Sequence, residues 1–435
     1  MVKYETPYDS LKEAIDLCGG LESVSTDAKV FLKPNYVIWH EGVNFPKYGV
    51  LTTSRMIEDM VRLLKDRGIN DITIAEGMVE MEKTKESMLE KAARGLGIDV
   101  LRERYGIKIL DMMKRPFTKV TVGDLKFSVN QDILEADYVI DMPVLKTHAQ
   151  AVVSLGVKNL KGTLNIASRK KCHNADPDIG LQWHVAKLPS FVNPDLTVID
   201  GIYTLDRGPM YTGMAHRSNI IIASKDVISA DKVGAKVLGI GPENVPHLVI
   251  AAKDHNRPVD LEDINVKGNI DIDTALKPHK WAWEHGTKSN MPEGFERAGI
   301  KGLTYPPADD TVCTYCSALI ETLIMGIVTA ENKDKTFDDV EVLYGKRMIP
   351  SPGHKHTLLF GQCQVKLNGK NPLINHCVTI PGCPAKQSDI PKGLREVGIQ
   401  APEYLLQFMD KAPEVFHMKK YKDQPEFDPS FYTVG

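Results

Sequence analysis

Short apolar runs alternate with helix-period segments through the first third of the chain. In "KVFLKPN" (Lys29 to Asn35), Val30, Phe31 and Leu32 form an apolar run stopped by Pro34, the pattern of a buried strand. In "SRMIEDMVRLLKDRG", Met56, Ile57, Met60, Val61 and Leu64 recur at helical spacing, and Gly68 follows as a C-terminal cap. "DITIAEG" (Asp71 to Gly77) is the next strand. A β-α-β order of this kind predicts a parallel sheet whose sites lie beyond the C-terminal strand ends. Lys33, Asn35 and Glu76 fall there. "TKVTV", Gly123-Asp124 and "LKFSV" then predict a hairpin.

The middle of the chain opens with "ADYVIDMPVLKTH", a strand running into Pro143 and on to Lys146 and His148. "LTVID" (Leu196 to Asp200) and "NIIIAS" (Asn219 to Ser224) predict further strands. The turn-rich "GIYTLDRGPMYTG" between them predicts a loop. "DVISADKVGAKVLG" predicts a helix capped by Asp226, and "ENVPHLVIAAKDHN" another with Pro246 in its first turn. Periodicity then weakens, and the last helix, "APEYLLQFMDKA", leads into a polar, aromatic tail that could reach across a subunit.

These patterns predict an α/β protein of mostly parallel, Rossmann-like sheets with flanking helices, followed by a cysteine-bearing module. The expected segments are 1–140 (α/β), 141–255 (α/β with a basic crevice), 256–310 (irregular linker), 311–400 (cysteine module) and 401–435 (helix and tail). A chain of 435 residues favours more than one domain.

Composition narrows the function classes. The chain is 42% hydrophobic and 26% charged, with a net charge of -3. That balance favours neither nucleic acid nor an anionic membrane as partner. No apolar stretch reaches the roughly 18–20 residues that cross a bilayer. "MVKYETPYDSLKEAIDLCGG" lacks the basic and apolar regions of a secretory signal. A cytoplasmic location is therefore expected, in which the seven cysteines serve as thiols or ligands rather than disulfides.

Cys313 and Cys316 stand in "TVCTYCSALIETLIMG" at the head of an apolar helical run, where backbone N–H groups favour thiolate. Cys363 is expected to end the strand in "TLLFGQC", two residues after Gly361. Cys383 sits in Gly-Cys-Pro, where glycine allows close backbone approach and proline rigidifies the turn. Four thiols from scattered loops suit a 4Fe–4S cluster or a structural zinc. One close pair with two singletons favours the cluster, while Cys377 in "INHCVTI" is a further candidate ligand. The alternatives are a redox CxxC pair or buried free thiols. Cys18 and Cys172 stand apart, Cys18 as a core residue.

"MPVLKTHAQAVVSLGVKNLKGTLNIASRKKCH" gathers Lys146, His148, Lys158, Asn159, Lys161, Arg169, Lys170, Lys171 and His173. Ammonium, imidazole and amide groups around glycine-flanked backbone make a receptor for carboxylate or phosphate. Lys146, His148 and His173 are the acid–base candidates. Lys33, Asn35, Glu76, Lys158, Asn159, Lys161 and Asp200 are the substrate-binding candidates. The plainer alternative, a solvated basic face, fits "RKK" well and "PVLKTH" poorly.

Taken in order, "VFLKPN", "TIAEG", "ADYVIDMPVLKTH", "SLGVKNLKG", "VIDGIY…RGPMYTG" and "KDVISADKVGAKVLG" resemble the domain of unknown function 362 family. That group is also described as uncharacterised iron–sulfur centre proteins, often with CxxCxxC modules, which this chain replaces by its spread cysteine set. A looser resemblance, carried by His148, Lys158 and His173, is to lactate racemases with a nickel-pincer cofactor. The resemblance implies an oxygen-sensitive iron–sulfur enzyme, an oxidoreductase or a lyase or isomerase, acting on a small anionic substrate. The alternatives are an electron-transfer protein serving a partner enzyme and a racemase-like enzyme; zinc is the alternative metal and a homodimer is compatible with the tail.

Overall fold

A computed structural model describes residues 1–80, 85–286 and 291–435. The chain folds into two compact units. The first comprises residues 1–172, 182–282 and 416–435, the second residues 173–181 and 283–415.

In the first unit, in chain order, the strands are β1 (Val2–Lys3), β2 (Val30–Pro34), β3 (Ile72–Glu76), β4 (Lys108–Asp111), β5 (Phe117–Val122), β6 (Leu125–Asn130), β7 (Tyr138–Met142), β8 (Val144–His148), β9 (Val152–Ser154), β10 (Leu196–Asp206) and β11 (Met214–Ser224). β5 and β6 form the expected hairpin. The others make one sheet with the path β1-β11-β10-β7-β2-β3-β4, and β8 and β9 attach beside β10. β7, β2, β3 and β4 run parallel, as the alternation predicts. Segments 1–140 and 141–255 thus share a sheet rather than forming separate bodies, because β10 pairs in parallel with both β7 and β8.

The helix Ser54–Asp66 buries Met56, Ile57, Met60, Val61 and Leu64, the stripe its sequence predicts. Asp226 caps the helix Val227–Val237 by accepting from Ser229 N, and Pro246 opens the helix Pro246–Asp254. The region expected as a loop, 201–213, is strand in its first half, 201–206, and a turn only over 207–213. β10 continues to Asp206 and pairs antiparallel with β11 through an irregularity between Gly201 and Tyr203. Its alternation is masked because the strand is buried on both faces almost throughout.

The tail also departs from expectation, since residues 416–435 fold back onto their own unit. Phe427 lies 4.5–5.8 Å, ring centre to ring centre, from Tyr421, Tyr48 and Tyr203, and Tyr48 Oη donates to Phe427 O at 2.8 Å. Aromatic burial of this size anchors a segment that has little regular structure.

The second unit holds β12 (Lys301–Thr304), β13 (Thr336–Leu343), β14 (His356–Phe360) and β15 (His376–Ile380), all parallel and in that order. The linker expected over 256–310 therefore ends in a strand, β12. The helix Thr314–Val328 connects β12 to β13, and the helix Gln362–Asn368 connects β14 to β15. No helix among the described residues is long and apolar enough to cross a membrane.

Candidate functional site

Two groups of chemically active side chains stand out, one in each unit. In the first unit, Lys33, Glu76 and Asp141 lie at the C-terminal ends of the adjacent parallel strands β2, β3 and β7, with Lys33 in register with Asp141. All three are buried. Lys33 Nζ donates to Glu76 Oε2 at 3.0 Å and to Asn159 Oδ1 at 3.1 Å. Asn35 Nδ2 donates to the same Asn159 oxygen at 2.7 Å, and Asn159 Nδ2 donates to Asp141 Oδ1 at 2.7 Å. Glu76 also accepts from Tyr36 N and Gly77 N. The candidates Lys33, Asn35, Glu76 and Asn159 are thus brought into one network. Asn35 Oδ1 and Asp141 Oδ2 remain buried with no hydrogen-bond partner among the described residues.

Burial raises Asp141 to about 7, against the opposing pull of Lys33 and Asn159. Burial likewise holds Lys146 down to about 7, with Glu76 raising it and Lys33 lowering it further. Lys146 lies on β8, where its ammonium donates to Val50 O at 2.6 Å. A lysine that exchanges its proton near neutrality can act as acid or base. Lys158 is pushed well below its ordinary value by burial and then by the charges of Lys161 and Lys146. His148 Nδ1 accepts from Gln150 N at 3.1 Å and Ala151 N at 3.3 Å. That contact leaves the ring proton on Nε2.

A short helix, Gly156–Asn159, carries Lys158 and Asn159. Asp231 holds its start, accepting from Gly156 N at 2.7 Å and Val157 N at 2.8 Å. A Cβ at residue 156 would come within 2.9 Å of that carboxylate, so glycine is required there. Gly162 passes as closely over the ion pair: a Cβ there would lie 2.7 Å from Glu76 Oε1 and 2.8 Å from Lys33 Nζ.

Three expectations are corrected. Asp200 does not end a strand at the crevice; it lies within β10, with Oδ2 taken by Thr53 N and Thr53 Oγ1 at 2.8 Å each and Oδ1 by Ile202 N. Thr53 is the N-cap of the helix Ser54–Asp66, so Asp200 anchors that helix. Arg169, expected on a solvated face, is buried and donates to Leu164 O, Gly77 O and Gly162 O. His173 falls in the second unit, with Nδ1 2.7 Å from Asp310 O, so the two acid–base histidines belong to different units.

Sequence reasoning also missed Asp141, Asp231 and His247. His247 Nδ1 lies 2.8 Å from Gln182 Oε1, while Nε2 has no partner among the described residues. Burial, and then Lys158, push it to about 3. Its signal was a histidine amid the apolar residues of "VPHLVIAA".

In the second unit the cysteines gather at the C-terminal side of the sheet. Cys313 is the N-cap of the helix Thr314–Val328, and Cys316 follows in its first turn. β14 and β15 end in register, Phe360 beside Ile380, and Cys363 and Cys383 each follow three residues later. Cys363 therefore does not end a strand; it lies in the first turn of the helix Gln362–Asn368. Gln362 N donates to Gly382 O at 2.9 Å, tying the two turns together.

The Cys316 thiol is pushed up by its hydrogen bond with Cys313, then by burial, then by the charges of Cys313, Cys363 and Cys383. The four expected ligands are within electrostatic reach of one another. Gly361, at φ 85°, leaves room beside them, since a Cβ there would lie 3.0 Å from Cys316 Sγ. The group is loose: among the described residues, no three cysteine, histidine or acidic side chains close on one point as metal ligands. Cys377 lies within β15, three residues before its end, and is exposed. The donor set suits a soft metal centre: four sulfurs from three turns, with room at Gly361.

Residues 30–236 match the model of the family described as a domain of unknown function (DUF362). A curated relative, the thylakoid-associated protein sll1697 of Synechocystis sp. (strain ATCC 27184 / PCC 6803 / Kazusa), is 24% identical over 249 residues, covering 54% of this chain and 71% of the relative. Among solved structures, the lactate racemase apoprotein from Thermoanaerobacterium thermosaccharolyticum matches with a TM-score of 0.33 at 12% identity, over 55% of this chain and 57% of its own.

Proposed function

From a chain whose residues 30–236 match the DUF362 family model, we propose an iron–sulfur enzyme that acts on a small carboxylate or phosphate. The observation that carries the metal half of this reading is the grouping of Cys313, Cys363 and Cys383 around Cys316. Cys313, Cys316, Cys363 and Cys383 would hold a 4Fe–4S cluster, which supplies electron transfer or Lewis acidity.

The anion half rests on the first unit. Lys146 and Lys158 are both held below the ordinary lysine range by burial. An anion seated beside them would restore their protons and gain charge-assisted hydrogen bonds. Lys146 moves a proton at Nζ. The Lys33–Glu76–Asn159 network holds the strand ends rigid around Lys146.

The test is purification without oxygen, followed by iron, zinc and sulfide assay and a visible spectrum. About four irons and four sulfides per chain, lost in Cys316→Ser, support the cluster. Stoichiometric zinc without sulfide replaces it with a structural metal site. Calorimetry with inorganic phosphate and small carboxylates, in buffers of differing ionisation enthalpy, tests the anion site. Proton uptake on binding, with affinity falling as pH rises above about 7, supports the lysine receptor. Binding without proton uptake removes Lys146 from it.

A further inference from the structure

A second set of metal-ligating side chains lies at the other end of the same four-stranded sheet. His356 and His376 open β14 and β15 and are the first register pair between them. Their rings meet edge to face, at 80° to one another, with Nδ1 2.8 Å from Nδ1. Two imidazole nitrogens bound side by side to one metal, at roughly 2.0–2.1 Å each, sit roughly 3 Å apart. The strand register therefore sets the donor spacing, and a bound cation would displace the proton shared between the two nitrogens.

We propose that His356 and His376 form a two-histidine site for a late first-row divalent cation such as Zn²⁺, with water or an incoming ligand in the other positions. Imidazole nitrogen suits this class of ion. The surroundings support the ligand geometry. Asp338 Oδ2 lies 3.9 Å from His356 Nε2, on the ring nitrogen that is not turned to His376. That carboxylate is paired with Lys355 Nζ and is too far from the ring for a hydrogen bond, so it contributes only a nearby negative charge. Asp339 holds the neighbouring His354 at 2.8 Å, and Asn375 Nδ2 donates to His354 O at 2.8 Å, joining the two strand starts. Five-residue strands separate this pair from the cysteine turns by roughly 15 Å, so it is a distinct site. Among the described residues no third cysteine, histidine or acidic ligand completes it, which predicts modest affinity and exchangeable positions.

Zinc titration of the full chain labelled with ¹⁵N at its thirteen histidines tests the proposal. The expected result is movement of the Nδ1 signals of two histidines, with equilibrium dialysis showing one fewer zinc per chain in His376→Gln. Zinc held by the cysteines leaves those Nδ1 signals in place, which separates the two sites. Unmoved Nδ1 signals in the wild-type chain at excess zinc, or equal zinc in His376→Gln, overturn the proposal and leave a histidine–histidine hydrogen bond. The wild-type spectrum decides even if the variant fails to fold.

Discussion

In the crevice of the first unit, Lys33 faces Glu76, Asp141 is bonded by Asn159, and Asp231 takes two backbone N–H groups. In the cysteine group of the second unit, the charges acting on Cys316 come from three other thiols, all of the same sign. The first arrangement is a network of opposite charges and hydrogen bonds that largely balances itself within the fold. The second consists of groups that oppose one another's ionisation, an arrangement that a bound cation stabilises by accepting thiolate charge. Stability in the crevice should therefore depend on its own side chains, whereas the cysteine turns should depend on what they bind.

The largest expected effect breaks the second half of that contrast. Cys363→Ser should abolish the iron and sulfide retained by the anaerobically purified chain, whereas Cys377→Ser should leave both unchanged. Equal loss in the two variants would bring the mid-strand thiol into the ligand set.

Next comes the crevice. Lys33→Met leaves the buried Glu76 carboxylate without its ammonium, and losing one partner of a buried pair costs about 3–5 kcal/mol. Urea unfolding should show that loss in the metal-free chain. A cost under about 1 kcal/mol would mean that Tyr36 N and Gly77 N suffice to hold the carboxylate.

Both groups were legible in the sequence to different depths. Lys33, Asn35 and Glu76 could be placed because an apolar run ending in a polar residue marks the C-terminal end of a buried strand, whatever the strand order. Asp141 was hidden one residue inside such a run, in "YVIDM", where a buried charge has no periodic signature. Asp231 reads as one polar position on a helix, and its role depends on a contact 75 residues away with Gly156. The CxxC pair was visible as a helix start. The helix bearing Cys363 has only seven residues, too short for its period to show. The 20-residue offset between Cys363 and Cys383 acquires meaning only with the β14–β15 register.

A smaller effect concerns protonation. Lys146 has a pKa of about 7 in the folded chain against 10.5 ordinarily. Between those values the unfolded chain binds more protons, so this group makes stability rise with pH from about 7 to 10. Asp141, at about 7 against 3.8, does the reverse: the folded chain binds more protons, and stability falls from about pH 4 to 7. Lys146→Met should flatten the upper slope, which Lys158 shares, and Asp141→Asn the lower one, which Asp231 shares, each by at most about 4–5 kcal/mol across its window. Urea midpoints measured from pH 4 to 10 give both slopes. An unchanged upper slope in Lys146→Met would mean that the ammonium keeps its proton through its bond to Val50 O.

The smallest expected effect sharpens the comparison at the level of backbone. Each group has a glycine pressed against it, Gly162 over the Lys33–Glu76 pair and Gly361 beside Cys316. The two differ in what an added methyl would meet. At Gly162 it meets an ion pair fixed on both sides by further hydrogen bonds, so Gly162→Ala must displace buried charge. At Gly361 it meets one sulfur at the end of a side chain that can rotate, and the main penalty is the backbone conformation, φ 85° and ψ 155°, about 1–3 kcal/mol. Gly361→Ala should therefore lower the stability of the metal-free chain only by that amount, yet reduce retained iron, because the methyl occupies space beside the sulfur. A variant that loses stability and keeps its full iron would show that the room beside Cys316 serves the turn and not the bound centre.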